Sequence, residues 1–193
     1  MKKMNFFVML VSGLLTFSAA TAQKDSSGIY KTANDFVTGK LSLAINCATE
    51  MHKIKLNDFF GKDYITVVHD GKKYDFKKSE VYGYKLCDEK IYRFSGKTDY
   101  VIMNPSEKIL LYTKEVMQGS KGARIRTNTY YFSNGAASPI VELTIDNLKK
   151  AYPNNHKFHD ALDSDFKNGE GLASYDSFHK MYRVNHILQM NAN

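Results

Sequence analysis

Apolar and aromatic residues recur along residues 41–116 in short runs separated by turn-forming residues, which is the texture of strands rather than helices. The runs fall at 41–47, 53–56, 64–68, 73–76, 90–94, 100–103 and 109–113. The sharpest local signal is Tyr64-Ile65-Thr66-Val67-Val68-His69-Asp70-Gly71-Lys72-Lys73-Tyr74. There Asp70-Gly71 supplies the two positive φ angles of a type I′ hairpin turn. Turn residues at 86–89, Ser95-Gly96 and Asn134-Gly135 extend the spacing into an antiparallel meander, either an open sheet or a small barrel. Residues 124–132 then alternate strictly, with Arg124, Arg126, Asn128 and Tyr130 on one face and Ile125, Thr127, Thr129 and Tyr131 on the other.

Helical patterns flank this body. Thr32-Ala33-Asn34-Asp35 reads as a capping box ahead of Phe36 and Val37, with Gly39 able to stop the turn. After Ser138-Pro139 the apolar period changes from about 2 to about 3.6 residues. Thr144 caps a helix over 145–151 that Pro153 ends, and Asn155 caps a second with Phe158, Leu162 and Phe166 at fourfold spacing. A third is expected over 174–190, with Tyr175, Phe178, Met181, Tyr182, Ile187 and Leu188 largely on one side, a stripe that should pack on the sheet, the alternative being a partner groove or membrane surface. The expected class is α+β: an antiparallel β-rich body with a short N-terminal helix and a C-terminal helical segment. Residues 28–143 would hold the short helix and the body, and residues 144–193 the helices packed on the same domain.

The first residues alter where this fold is placed. Lys2 and Lys3 precede an apolar run over 6–17 and then Ala20-Thr21-Ala22, the layout of a secretory signal peptide spanning 1–22 and cleaved before Gln23. The run is short of the roughly 20 apolar residues that cross a bilayer, so no transmembrane helix is expected in the mature chain. A flexible lead-in over 23–27 would follow. Periplasm, outer-membrane surface and medium are all open as destinations. Loss of the two leader lysines takes the formal net charge from +7 to +5, which serves solubility and allows a weak preference for anionic surfaces. With 43% hydrophobic and 24% charged residues over 193 positions, collagen-like and wholly disordered chains are excluded and one domain is the default.

Export also changes the reading of the only two cysteines, Cys47 and Cys87. An oxidising compartment lets them join; the alternative is two separate buried thiols, and neither stands in a recognisable nucleophile context. The face of Arg124, Arg126, Asn128 and Tyr130 could grip an anionic ligand through forked donors and a stacking ring, or simply be the wet side of an antiparallel sheet. His156, His159 and Asp160, with Asp163 nearby, could approach a transition metal from one helix, or be solvated helix residues; the spacing is not HExxH. The acidic stretch 163–170 fails the calcium-loop register, with Lys167, Asn168 and Ser174 where a ligand, the turn glycine and the bidentate Glu belong. No GxSxG, GxxxxGK[ST] or GxGxxG pattern is present, and no cofactor is expected. The basic-aromatic stretch 72–78 reads as a strand with charged outer positions, so nucleic acid is not favoured.

The opening Gly28-Ile29-Tyr30-Lys31-Thr32, with Asp35-Phe36 and Gly39-Lys40-Leu41, the hairpin His69-Asp70-Gly71-Lys72 and the closing Tyr182-Arg183-Val184-Asn185-His186-Ile187-Leu188 together resemble small secreted proteins of unknown function from Bacteroidota. The resemblance implies a periplasmic or surface location in a Gram-negative envelope and implies no activity. The expectation is a non-enzymatic module that binds a ligand or an envelope partner; the alternative is an envelope hydrolase whose site is assembled only in the fold. If Cys47 and Cys87 are joined, closing a loop of this length should contribute about 3–4 kcal/mol. Cys47→Ser should then lower the melting temperature of the oxidised protein, whereas an unchanged melt with both native thiols reactive would contradict the bridge.

Overall fold

The structure, a computed structural model, describes residues 25–50, 53–57, 61–118 and 125–192. The expected signal peptide, its cleavage site and Arg124 lie outside the described residues. In chain order the elements are β1 (Ser26–Tyr30), α1 (Ala33–Val37), β2 (Ser42–Asn46), β3 (Lys53–Lys55), β4 (Tyr64–His69), β5 (Lys72–Lys77), β6 (Gly83–Lys85), β7 (Ile91–Ser95), β8 (Thr98–Ile102), β9 (Ile109–Gln118), β10 (Ile125–Asn134) and β11 (Val141–Glu142). There follow α2 (Ile145–Ala151), α3 (His156–Asp165), a 3₁₀ turn over Lys167–Gly169, β12 (Tyr175–Asp176), β13 (Met181–Tyr182) and α4 (Arg183–Met190). The architecture is α+β with antiparallel pairing throughout the described strands.

The main sheet has the order β11-β10-β9-β8-β7-β6-β1-β2 and is open, with β11 and β2 at its ends. β3, β4 and β5 leave it to form a separate sheet around the hairpin of Asp70 (φ 50°) and Gly71 (φ 71°), the two positive angles that a type I′ turn requires. Cys47 follows β2 and Cys87 follows β6, and their sulfurs are bonded at 2.09 Å, closing this excursion at its base.

Register assigns the core to both faces of the main sheet, because directly opposed residues share a face. Ile29 faces Tyr84, Tyr84 faces Tyr92, Tyr92 faces Val101, and Val101 faces Thr113. On this first face Ile29, Tyr84 and Phe94 lie under Ile65 and Val67 of β4. Farther along it, Ile109, Leu111 and Phe132 lie under Leu148, Phe158, Leu162 and Val184 of the helices. The second face packs Tyr30, Tyr82, Ile102, Leu110 and Tyr112 against Phe36 of α1. A strand covered on both sides needs no alternation, which explains the unbroken apolar run at the start of β9. α1 is entered through a capping box in which Thr32 Oγ1 accepts from Asp35 N and Asp35 accepts from Thr32 N, each at 3.0 Å.

Two expectations are corrected, and one strand had no signal in the sequence. The lead-in over 23–27 is not free through its length: Ser26 and Ser27 are buried in β1, between β6 and β2, and Ser27 Oγ donates to Lys85 O at 2.7 Å. A hydroxyl satisfied by a neighbouring carbonyl is tolerated in a central strand, so polarity misled. β6 carries no sequence alternation, because Gly83 is there for space: a Cβ would stand 1.9 Å from the Tyr92 carbonyl oxygen. The helix expected over 174–190 forms only from Arg183, since Lys180 takes a left-handed φ of 56° and residues 175–182 fold into the hairpin β12–β13. No helix among the described residues is long and apolar enough to cross a membrane.

α4 is fastened to the sheet by polar contacts inside the core. Asn185 Oδ1 accepts from Ile109 N at 2.8 Å and Asn185 Nδ2 donates to Ile109 O at 2.9 Å. Asn104 does the same one step along, accepting from Leu111 N at 2.6 Å and donating to Ile109 O at 2.8 Å. Asn185→Ala strands a buried N–H and should lower unfolding free energy by about 2–3 kcal/mol in a urea titration, against roughly 0.5 kcal/mol or less for the exposed Met190→Ala on the same helix. Equal losses in the two variants would contradict this role.

Candidate binding surface

The alternating face of β10 changes character along its length. Arg126, Asn128 and Tyr130 are exposed, yet two residues on, Phe132 is buried beneath the helices. Arg126 Nε pairs with Glu115 Oε1 across the hairpin at 3.1 Å, in water on both sides, so this ion pair neutralises the guanidinium and adds little stability. Tyr130 is 38% exposed, lies midway along β10, and borders residues 171–174 that lead into the C-terminal hairpin.

That hairpin is built around Asp176. Its Oδ1 accepts from Phe178 N at 2.9 Å and His179 N at 3.1 Å, and its Oδ2 meets His179 Nδ1 at 2.7 Å. The side-chain hydrogen bond to His179 and the two backbone donors favour the ionised carboxylate and pull its pKa down to about 2. The His179 ring stacks on His186 of α4 at 3.8 Å between centroids, inclined by 19°. The turn is thus tied internally by Asp176 and externally to a helix that Asn185 locks in the core.

Aromatic rings gather on this frame. Phe178, at the tip, is 85% exposed and meets His179 edge-on at 4.9 Å; Tyr175 is 54% exposed and meets Tyr182 edge-on at 5.3 Å. Burial first, then the negative field of Glu107 with Tyr175 and Tyr130 close by, pushes the Tyr182 phenol up, so the group stays protonated at neutral pH. Glu107 in turn accepts from Tyr182 N at 3.3 Å. A cleft of about 320 Å³ opens beside Tyr130, lined by Leu143, Gly171, Leu172, Ala173 and Ser174. Tyrosine rings next to a shallow, largely apolar cleft can stack on a flat or ring-shaped ligand while the hydroxyls and the turn backbone supply hydrogen bonds.

The other site residues expected from sequence fall apart from this surface. His156 and His159 are neighbours on α3, with rings edge-on at 5.8 Å, but His159 Nε2 donates to Tyr152 O at 2.9 Å. Lys149 Nζ holds the Asp163 carboxylate at 2.6 and 2.7 Å. Among the described residues no group of three His, Cys, Asp or Glu side chains is placed to hold a metal ion. Cys47 and Cys87 are spent on each other. Asp176, Phe178 and His179 were missed as site residues because the stripe spacing assigned them to a helix. An Asp whose carboxylate can accept from backbone amides two and three residues on was the available sign of a turn.

A carboxyl whose pKa is lowered in the folded state stabilises that state above its ordinary pKa near 3.8, and the contribution fades as pH falls toward about 2. A carbon-detected titration of the Asp176 carboxyl should therefore centre well below 3.8, and in Asp176→Asn the backbone amides of Phe178 and His179 should lose protection from hydrogen exchange; an ordinary midpoint would contradict the turn described. No family model, curated protein or solved structure matches the chain.

Proposed function

We propose that this is an exported cell-envelope protein that binds a ligand or partner without transforming it, and that its contact surface is the aromatic ridge of Tyr130, Tyr175 and Phe178. The observation that carries the reading is Phe178, a phenyl ring 85% exposed at the tip of a turn held by four groups of contacts. A large apolar side chain fixed in water forgoes about 1.5–3 kcal/mol of burial, which a partner covering it would recover. Rigid aromatic side chains with few rotatable bonds are also the residues that concentrate binding energy at interfaces. The leader over 1–22, the cysteine pair and the Bacteroidota-like layout support an envelope location.

A second reading, an envelope hydrolase, draws on the Asp176–His179 contact, since a carboxylate on Nδ1 is how a general base is oriented. Among the described residues no serine, threonine or cysteine side chain is hydrogen-bonded to His179, and its ring face is covered by His186. Binding therefore remains the better-supported reading.

The test has two parts. N-terminal sequencing of the protein recovered from the envelope fraction should begin at Gln23. Immobilised mature protein, presented with solubilised envelope and with purified cell-wall polysaccharide, should retain material that Phe178→Ala and Tyr175→Ala each reduce by about ten-fold or more, with melting temperature unchanged. Equal retention by all three proteins would overturn the assignment of the surface, and turnover of an ester or glycoside panel that His179→Ala abolishes would favour the hydrolase.

A further inference from the structure

β9 and β10 outrun the sheet that holds them. Their pairing extends from Asn134 opposite Ile109 to Ile125 opposite Gln118, whereas β8 meets β9 only at Tyr112 and Thr113, and β11 meets β10 only at Tyr131 and Phe132. Residues 114–118 and 125–129 are therefore a two-stranded ribbon projecting past the body, with neither outer edge paired among the described residues. Arg126, Thr127 and Asn128 are exposed in succession, odd and even positions alike, which a strand shows only where both of its faces meet water.

An unpaired edge is a template for another strand. Parity identifies which backbone groups it offers. Tyr130 O accepts from Leu143 N at 3.0 Å on the side away from β9. The N–H and C=O groups of Asn128 and Arg126, two and four residues back, open on that same side, while those of Thr127 and Thr129 turn toward β9.

We propose that this edge of β10 pairs antiparallel with the same edge of a second copy of the chain, about a two-fold axis at Thr127. Arg126 then lies opposite Asn128 of the second copy and Asn128 opposite its Arg126, each pair exchanging both backbone hydrogen bonds, while Thr127 faces Thr127. The cross-strand row sets a guanidinium against an amide on each side and a threonine against a threonine, with no like charges opposed. Glu115 of β9, directly opposite Asn128 and 3.1 Å from the Arg126 guanidinium, compensates the cation that each copy brings. The neighbouring two-fold registers are worse. An axis at Arg126 sets two guanidinium groups face to face, and an axis at Asn128 sets Arg126 against Tyr130, whose carbonyl Leu143 already uses. In this register Ile125, the first described residue of β10, lies opposite Thr129 of the second copy, one position short of the residue that Leu143 faces. The inference rests on the backbone edge of β10 at Arg126 and Asn128 and does not depend on the aromatic ridge, with which it shares only the strand that carries Tyr130.

Engineered cysteines test the register directly, since the two native cysteines are already joined. Thr127→Cys places two sulfurs across a pair whose Cα atoms lie about 4.5–5.5 Å apart, within disulfide reach. At about 100 µM under mild oxidation it should form a covalent dimer at least ten-fold faster than the exposed Lys72→Cys. Arg126→Cys and Asn128→Cys should each crosslink poorly alone and well when mixed. In sedimentation the unmodified protein should associate as concentration rises, and Asn128→Pro, which removes one outward N–H, should stay monomeric with an unchanged far-ultraviolet spectrum. Crosslinking of Thr127→Cys no faster than Lys72→Cys, fastest self-crosslinking by Arg126→Cys, or a monomer at every concentration would each overturn the proposal.

Discussion

The amide of Asn185 meets the backbone of Ile109 in both directions, and α4 and the hairpin stacked on it take their position from that contact. β9 begins at Ile109 with apolar neighbours on both faces, so its first N–H has no water to turn to. A buried donor left alone costs more than most single contacts contribute, which makes a two-way amide the condition for packing helices there at all. Dependence then runs outward. α4 carries His186, His186 supports His179, and His179 with Asp176 sets the turn that presents Phe178. The most exposed ring of the molecule is thus oriented by one of its most deeply buried amides.

The opposite face of the sheet is organised by a buried cation. Arg93 donates to Tyr112 Oη at 2.7 Å, to Ser133 Oγ at 3.1 Å and to Ser138 O at 2.7 Å, with its guanidinium 5.0 Å from the centre of the Tyr82 ring. It therefore joins β7 to β9, β10 and the turn after β10. A slip of one residue in β7 would swing this guanidinium into the apolar face shared by Tyr84 and Ile65, so the contact specifies register at the centre of an otherwise tyrosine-rich and forgiving sheet.

How far the sequence revealed this depends on whether the signal is local. Asp70-Gly71 declared its hairpin because a type I′ turn is decided by two residues, and the alternation at Arg126, Asn128 and Tyr130 declared a strand for the same reason. β6 and β1 were hidden: Gly83 answers a carbonyl on another strand and Ser27 answers one at Lys85, so their fitness is written in partners far along the chain. Tyr175, Phe178 and Tyr182 deceived by spacing, since a four-residue turn between two-residue strands sets aromatic residues three and four apart, as a helix would. Asn185, a lone amide inside the run Val184, Ile187 and Leu188, was a visible anomaly whose meaning required Ile109 beside it. Of the candidate surface, Tyr130 was legible from the alternation of β10, whereas Tyr175 and Phe178 were hidden by a spacing that imitates a helix.

The bond between Cys47 and Cys87 has a mechanical consequence. A force applied to the two ends of the chain passes from β2 to the segment after β6 through the sulfurs, bypassing the residues between them. With a sequence separation of 40, roughly 140 Å of contour is shielded from extension. The β3–β5 sheet therefore rides as a closed lobe that pulling cannot unravel, and a single peptide cleavage inside it leaves one covalently continuous molecule.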